Sequence, residues 1–132
     1  MEGCMQLNIY GHSAEGTTLK QGENMPLRHS TGDKVDARCV LEKAEDQIKK
    51  RPYHKKELDK VLLTVQKGVK VYYSNDTLNG MSGAPVIAEF KDGGQYSSCV
   101  VGIHNGGVSE RIRPYINNGQ TIASVIESFK SL

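Results

Sequence analysis

The stretch Leu-Asn-Gly-Met-Ser-Gly-Ala-Pro-Val at residues 78–86 combines a glycine turn, a serine and an immediate proline. Gly80 and Gly83 flank Met81 and Ser82, and glycine permits backbone conformations that a Cβ forbids. Successive backbone N–H groups in this turn can therefore point at one position beside the serine hydroxyl. Donors preorganised in this way form an oxyanion hole, which stabilises the charge that develops during attack on a carbonyl. By itself the stretch predicts either the loop of a nucleophilic serine or an ordinary glycine turn with a solvated serine.

The residues after the serine distinguish two kinds of nucleophile loop. Pro85 lacks a backbone N–H and is disfavoured inside a helix, so residues 86–90, Val-Ile-Ala-Glu-Phe, indicate a strand that leaves the turn. The nucleophile elbow of α/β-hydrolases instead has a glycine two positions after the serine and runs directly into a helix. Ala84 occupies that glycine position here, and the elbow is therefore excluded.

A second strand and a glycine-rich segment follow closely. Residues 91–94, Lys-Asp-Gly-Gly, predict a turn, and residues 98–103, Ser-Cys-Val-Val-Gly-Ile, predict a strand. His-Asn-Gly-Gly follows at residues 104–107. In this order, Gly-x-Ser-Gly-x-Pro-Val and Val-x-Gly-Ile-His-x-Gly-Gly resemble the chymotrypsin-like serine peptidases. The nearest members are the glutamyl-endopeptidase branch and the trypsin-like peptidase domains of intracellular animal proteins.

The resemblance covers residues 5–32 and 69–110. Residues 7–12, Leu-Asn-Ile-Tyr-Gly-His, resemble the strand that opens the second barrel in this family, although Ser13 stands where a proline is usual. The resemblance implies an all-β fold, an antiparallel Greek-key barrel of six strands closed by a C-terminal helix. It makes residues 1–132 a single domain, the C-terminal barrel of a two-barrel peptidase.

The same resemblance implies roles for individual residues. Ser82 is implied as the catalytic nucleophile, with the backbone N–H groups of Gly80, Met81 and Ser82 as its oxyanion hole. Met81 also stands where trypsin-like zymogens keep an aspartate that pairs with the new N-terminal amine, so that activation switch is not expected here. The family's substrate pocket maps onto Asp76, Thr77, His104, Asn105 and Gly106.

The pocket residues leave the substrate preference open. An aspartate at the position of Asp76 binds basic side chains in trypsin-like members, whereas Thr77 with His104 matches the pair that binds acidic side chains. Because an unpaired charge in a dry pocket is costly, Asp76 either meets a cationic ligand or turns outward, as an ordinary loop aspartate does.

The chain has no counterpart of the family's first barrel, which carries the histidine base and the aspartate. None of the four histidines, at positions 12, 29, 54 and 104, lies in a matching segment, and a serine hydroxyl is a weak nucleophile without a base. We therefore expect the nucleophile-bearing half of a serine endopeptidase, inactive alone and dependent on a first-barrel partner segment to hydrolyse polypeptides. The alternative is a non-catalytic interaction domain that retains the peptidase scaffold. The uncovered barrel face predicts a homodimer or larger assembly.

Composition restricts the class of protein to which the chain can belong. The 132 residues are 37% hydrophobic and 24% charged, with a formal net charge of +2, which is typical of one globular domain. No apolar run approaches the length of a membrane helix, and residues 1–4 lack a signal-peptide pattern. Three cysteines, at positions 4, 39 and 99, form no Cys-x-x-Cys clip, which favours free thiols in an intracellular protein. We expect no metal and no cofactor.

Periodicity assigns the remaining segments. Residues 5–10, 35–41, 61–65 and 69–73 read as strands, and residues 11–34 as loops around a short strand. Residues 42–60 predict two short solvated helical stretches broken near Pro52, and their interspersed acids favour a solvated surface over a nucleic-acid interface. At the C-terminus, residues 121–131 predict a helix behind the potential cap Thr121, packed by the stripe Ile122, Val125, Ile126 and Phe129.

Overall fold

The computed structural model describes residues 4–20 and 23–132; residues 1–3, which belong to the segment that lacks a signal-peptide pattern, lie outside this part. The described residues form mainly β structure, with one antiparallel sheet of seven strands and three α-helices. The strands are β1 (Cys4–His12), β2 (Leu27–Gly32), β3 (Lys34–Val35), β4 (Lys70–Tyr73), β5 (Pro85–Asp92), β6 (Gln95–Gly107) and β7 (Asn117–Thr121). The helices are α1 (Ala37–Lys50), α2 (Lys55–Lys67) and α3 (Ile122–Lys130), with a 3₁₀ turn at Pro52–His54.

The strand order in the sheet is β2-β1-β5-β6-β7-β4-β3. Strands β5 and β6 form the predicted hairpin, with Asp92 opposite Gln95 at its turn. Side chains alternate between the two faces of a strand. The inner face of the sheet and the loop between β4 and β5 together form one core of Leu7, Ile9, Val71, Tyr73, Met81, Ala84, Val86 and Ala88. The predicted strands at 5–10, 69–73, 86–90 and 98–103 are confirmed within these elements.

The sheet curls so that its two edges approach each other. Its edge strands, β2 and β3, are separated along the chain only by Asp33, whose N–H donates to Ser74 Oγ and whose carbonyl accepts from Ser74 N, both at 2.9 Å. The fully buried Asn75 Nδ2 then donates to the carbonyls of Leu7 (3.0 Å) and Ser30 (3.2 Å). The result is an antiparallel half-barrel of seven strands, where the sequence predicts six.

Two of the predicted strands are wrong. The segment 35–41 is extended only as far as Val35, because the Asp36 carboxylate accepts from Arg38 N at 2.9 Å and caps helix α1. The segment 61–65 lies inside helix α2, where Leu58, Val61 and Val65 are buried at helical spacing. A short apolar run can match both the two-residue period of a strand and the 3.6-residue period of a helix, so the residues that it packs against decide which one forms.

The helical segment spans residues 37–67 and is therefore longer than the predicted 42–60. It also buries apolar side chains, where the sequence predicts solvated helices. Helices α1 and α2 join at the 3₁₀ turn that contains Pro52, as the predicted break requires. Their facing sides form a second core with Tyr72 of β4 and the β6–β7 connection: Val40, Ala44, Leu58, Val61, Val65, Tyr72, Ile112 and Ile116. The charged side chains lie on the opposite faces, as expected for amphipathic helices.

The predicted C-terminal helix is confirmed, but its apolar stripe is not buried as predicted. Thr121 Oγ1 accepts from Ser124 N at 3.2 Å and caps α3 as predicted. No residue of α3 is fully buried, however, and Ile126 and Phe129 are 47% and 66% exposed. Within the described residues no helix is long and apolar enough to cross a membrane.

Candidate functional site

Ser82 lies at the tip of a tight loop between β4 and β5. Gly80 and Gly83, on either side of Met81 and Ser82, have φ angles of +92° and +91°, in the region that side chains with a Cβ disfavour. Met81 N donates to Leu78 O at 3.2 Å, and Ala84 N donates to Met81 O at 3.0 Å. The two glycines therefore allow two successive turns that leave Ser82 exposed.

Two further contacts hold this loop against the sheet. The Met81 side chain is 2% exposed and packs in the core of the sheet, so it fixes the loop to that core. On the other side, Gly83 N donates to His104 O and His104 N donates to Ala84 O, both at 2.8 Å. The loop thus rests between the core and strand β6, which restricts the position of the serine.

The candidate oxyanion donors differ in availability. The Met81 N–H is already used by the turn, as its bond to Leu78 O shows. Among the described residues, no oxygen accepts from the N–H of Gly80 or of Ser82. These two donors are the ones that could bind an oxyanion at the loop tip.

The Ser82 hydroxyl contacts a carbonyl instead of a base. Its Oγ donates to Asn105 O at 3.0 Å, and no histidine nitrogen within the described chain is bonded to it. His12 Nδ1 contacts Met25 O at 2.8 Å, His29 Nε2 contacts Asn8 Oδ1 at 2.7 Å, and His54 lies in the 3₁₀ turn before α2. The loop therefore presents a serine without an activating base.

His104 faces the interior and is paired there. It is 4% exposed, and its Nδ1 is hydrogen-bonded to Tyr73 Oη at 2.5 Å. Burial lowers the pKa of His104 and raises the pKa of Tyr73, because removal from water disfavours the charged form of each group. Both groups are therefore neutral near pH 7, and only the backbone of His104 is bonded to the serine loop.

The other predicted pocket residues are placed near the loop but are more open. Asp76 is exposed, so its carboxylate does not carry the desolvation cost of a charge in a dry pocket. Thr77 is half-buried, Asn105 is exposed, and Gly106 O accepts from Asn118 Nδ2 at 2.9 Å across a bulge between β6 and β7.

Sequence reasoning missed two sets of contacts that support the loop. Ser13 is fully buried and its Oγ donates to Asn79 O at 2.6 Å, while Asn79 N donates to Glu15 Oε2 at 2.7 Å. The pairing of Tyr73 with His104 also has no local sequence signal, since the partners lie on strands 31 residues apart. Within the described part, no group of three or more His, Cys, Asp or Glu side chains could hold a metal ion.

Comparisons with known proteins return no family model, no curated protein and no solved structure that matches this chain.

Proposed function

We propose that this chain is the nucleophile-bearing half of a serine endopeptidase, in which Ser82 attacks a peptide carbonyl once a segment carrying a histidine and an aspartate is supplied. The proposed fold is the six-stranded Greek-key second barrel of a two-barrel peptidase, with β3 as an added two-residue edge. The observation that carries the proposal is the glycine loop, which leaves Ser82 exposed and leaves the N–H groups of Gly80 and Ser82 without an acceptor among the described residues. The donors would bind the oxyanion of a tetrahedral intermediate.

In this proposal Ser82 is the nucleophile and the base comes from the supplied segment. A hydroxyl needs a base within hydrogen-bond reach to lose its proton, and Ser82 Oγ donates to the Asn105 carbonyl instead. A supplied histidine would have to displace this contact and accept the same proton. Half-buried Thr77 and exposed Asn105 would then contact the substrate side chain, with the preference between basic and acidic side chains left to Asp76. The buried His104 would support this site through its backbone bonds to Gly83 and Ala84.

A non-catalytic interaction domain is the second candidate. It is favoured by the same bond of Ser82 Oγ to Asn105 O, which satisfies the hydroxyl within the chain. A loop kept for peptide binding would use the Gly80 and Ser82 N–H groups to bind carbonyls without any covalent step.

A peptidyl boronic acid distinguishes the two candidates, because it forms a tetrahedral adduct with a serine Oγ and directs a boron oxygen at the oxyanion donors. Because no histidine of the described residues is bonded to Ser82 Oγ, the probe is tested with imidazole as an external base, and we expect the ¹¹B resonance to move from its trigonal to its tetrahedral position only when chain and imidazole are both present. S82A should abolish this change, whereas S98A, at an exposed serine of β6, should not. An absent adduct with peptide binding retained would support the interaction domain and reject the peptidase.

A glycine variant tests the donor geometry separately. G80A introduces a Cβ at φ +92°, which strains the turn and turns its N–H away from the loop tip. The variant should weaken the adduct at least tenfold while circular dichroism stays unchanged. G93A, at a positive φ in the distant β5–β6 turn, is the matched control.

A further inference from the structure

A cleft unrelated to the serine loop lies between the helical pair and the β6–β7 connection. Its volume is ≈ 240 Å³, and it is lined by Gln47, Arg51, His54, Glu110, Arg111 and Arg113. Three of these six residues are arginines, and they come from segments about 60 positions apart in the sequence. The fold therefore concentrates guanidinium groups that the sequence keeps apart.

The backbone explains why the arginines meet here. In the β6–β7 connection, Ile112 is fully buried in the second core, and its N–H donates to Ser109 O at 3.2 Å. Arg111 and Arg113 flank this anchor and remain exposed. Arg51 ends helix α1, where its N–H donates to Gln47 O at 2.9 Å, so its side chain leaves the helix at the break before Pro52.

Two of the three guanidinium groups lack an acidic partner within the described residues. Arg51 Nη1 donates to the neutral amide oxygen of Gln47 at 3.2 Å, and Arg113 Nη1 donates to the Ile112 carbonyl at 3.2 Å. Arg111 Nε contacts Glu57 Oε2 at 3.3 Å, in a pair that is about half exposed on both sides. Glu110 is the acidic residue that lines the cleft itself. Positive charge therefore exceeds negative charge at this position.

We propose that this cleft binds the phosphate of a phosphorylated serine, threonine or tyrosine side chain on a polypeptide. A phosphomonoester carries a charge of about −1.5 to −2 at pH 7, which matches two arginines without acidic partners. Guanidinium forks donate two parallel hydrogen bonds to phosphate oxygens. Arginine clusters are a recurring means of recognising phosphorylated motifs.

A polypeptide fits the surroundings better than a nucleic acid. Nucleic-acid sites combine a continuous basic track with aromatic rings on which bases stack. Two of the nearby lysines are paired, Lys50 with Asp46 at 3.0 Å and Lys55 with Asp59 at 2.7 Å. Tyr53 does not line the cleft, and its ring is tilted against a neighbouring imidazole. The arginines without acidic partners, Arg51 and Arg113, thus meet in one cleft, which suits a single phosphate.

Titration of the whole chain with a phosphoserine tripeptide, acetyl-Gly-phosphoSer-Gly-amide, tests the proposal. We expect saturable binding by calorimetry and shifts of the Arg51, Arg111 and Arg113 amide resonances. R51Q/R113Q should weaken binding at least tenfold, whereas K67Q/K130Q, which removes the same charge from exposed lysines elsewhere, should leave it within twofold. Circular dichroism should show that both variants are folded, because all four side chains are exposed.

A variant that is expected to increase the affinity for the phosphopeptide separates an effect on binding from a loss of folding. E57Q frees Arg111 from its carboxylate and should strengthen phosphopeptide binding several-fold, with E127Q on α3 as the control. Unchanged affinity in R51Q/R113Q, or equal binding of inorganic sulfate, would overturn the proposal. Tighter binding of a single-stranded oligothymidylate through the same arginines would overturn it in favour of a nucleic-acid site. An unchanged affinity in E57Q would overturn the part played by Arg111.

Discussion

Tyr73 and His104 share a hydrogen bond in the interior, Oη to Nδ1 at 2.5 Å, although they lie on strands β4 and β6, which are separated by β7 in the sheet. The backbone of His104 also exchanges two hydrogen bonds with Gly83 and Ala84 of the serine loop. The buried pair and the loop therefore depend on the same short segment of β6.

Removal of the Tyr73 hydroxyl should destabilise the protein. In Y73F the buried Nδ1 of His104 loses its hydrogen-bond partner, and leaving a buried polar atom unsatisfied costs about 1–3 kcal/mol. Urea denaturation should show this loss in the free energy of unfolding. Y96F, at a tyrosine that is 71% exposed on β6, is the matched control, and a loss no larger than that in Y96F would contradict the interpretation.

Stability should fall in mild acid because of His104. Burial lowers the pKa of His104 below its ordinary value of 6.5, so below pH 6.5 the unfolded chain binds a proton that the folded chain does not. The free energy of unfolding should therefore decrease as the pH falls below 6.5 and level off below the folded pKa. Urea titrations between pH 8 and pH 4 measure this slope.

The matched variants for the pH effect are H104Q and H54Q. H104Q should be less stable at neutral pH but should lose the part of the slope due to this histidine. H54Q, at a half-buried position outside the pair, should retain that slope. An identical slope in H104Q and the unchanged protein would assign the acid sensitivity to another group.

Gly32 should be intolerant of any side chain. A Cβ at this position would overlap Asn75 Oδ1 and would lie 2.7 Å from Asn75 N, where the two sheet edges meet. Because a backbone atom must move, we expect G32A to cost about 2–3 kcal/mol in thermal or urea unfolding. G16A has a positive φ but open space around its Cβ, and it should cost about 1 kcal/mol. Equal costs in the two variants would contradict the steric explanation.

The sheet and the serine loop were predictable because their signals are local. Alternating apolar residues specify β1 and β5, and glycine and proline specify the turn around Ser82. The segments 35–41 and 61–65 were not predictable as helices, because the partners that bury Val40 and Val61 include Ile112 and Ile116, far along the chain. Non-local packing likewise produced the Tyr73–His104 pair, for which no spacing rule exists.

The chain alone should react slowly with serine-directed probes. Ser82 Oγ donates to a carbonyl, and no histidine of residues 4–20 and 23–132 is bonded to it, so a fluorophosphonate should label the chain little above background. S82A should remove the remaining signal, and S98A should not. We also expect negligible peptide hydrolysis by the chain alone. Strong labelling that disappears in S82A would contradict this prediction, because it would require a base for Ser82.

The C-terminal helix should mediate self-association. Ile126 and Phe129 on α3 are 47% and 66% exposed, and Leu132 just beyond its C-cap is 97% exposed. The helix begins beside a groove of ≈ 530 Å³ that is partly lined by Val100 and Ile122. Exposed apolar surface of this kind favours burial against a partner. A second copy can provide both surfaces at once, since a two-fold interface places the helix of each copy against the groove of the other.

Light scattering at micromolar concentration should therefore give a mass near twice 14.5 kDa. A stable dimer requires about 800 Å² buried on each copy, which the helix row and the groove together have to supply. I126S/F129S should shift the mass to that of a monomer, because it removes apolar area from the centre of the proposed interface. E127S/K130S on the same helix should leave the dimer intact. A mass of 14.5 kDa for the unchanged chain would reject self-association and imply that the helical pair, which already covers Tyr72 and Ile112, suffices to keep the half-barrel monomeric.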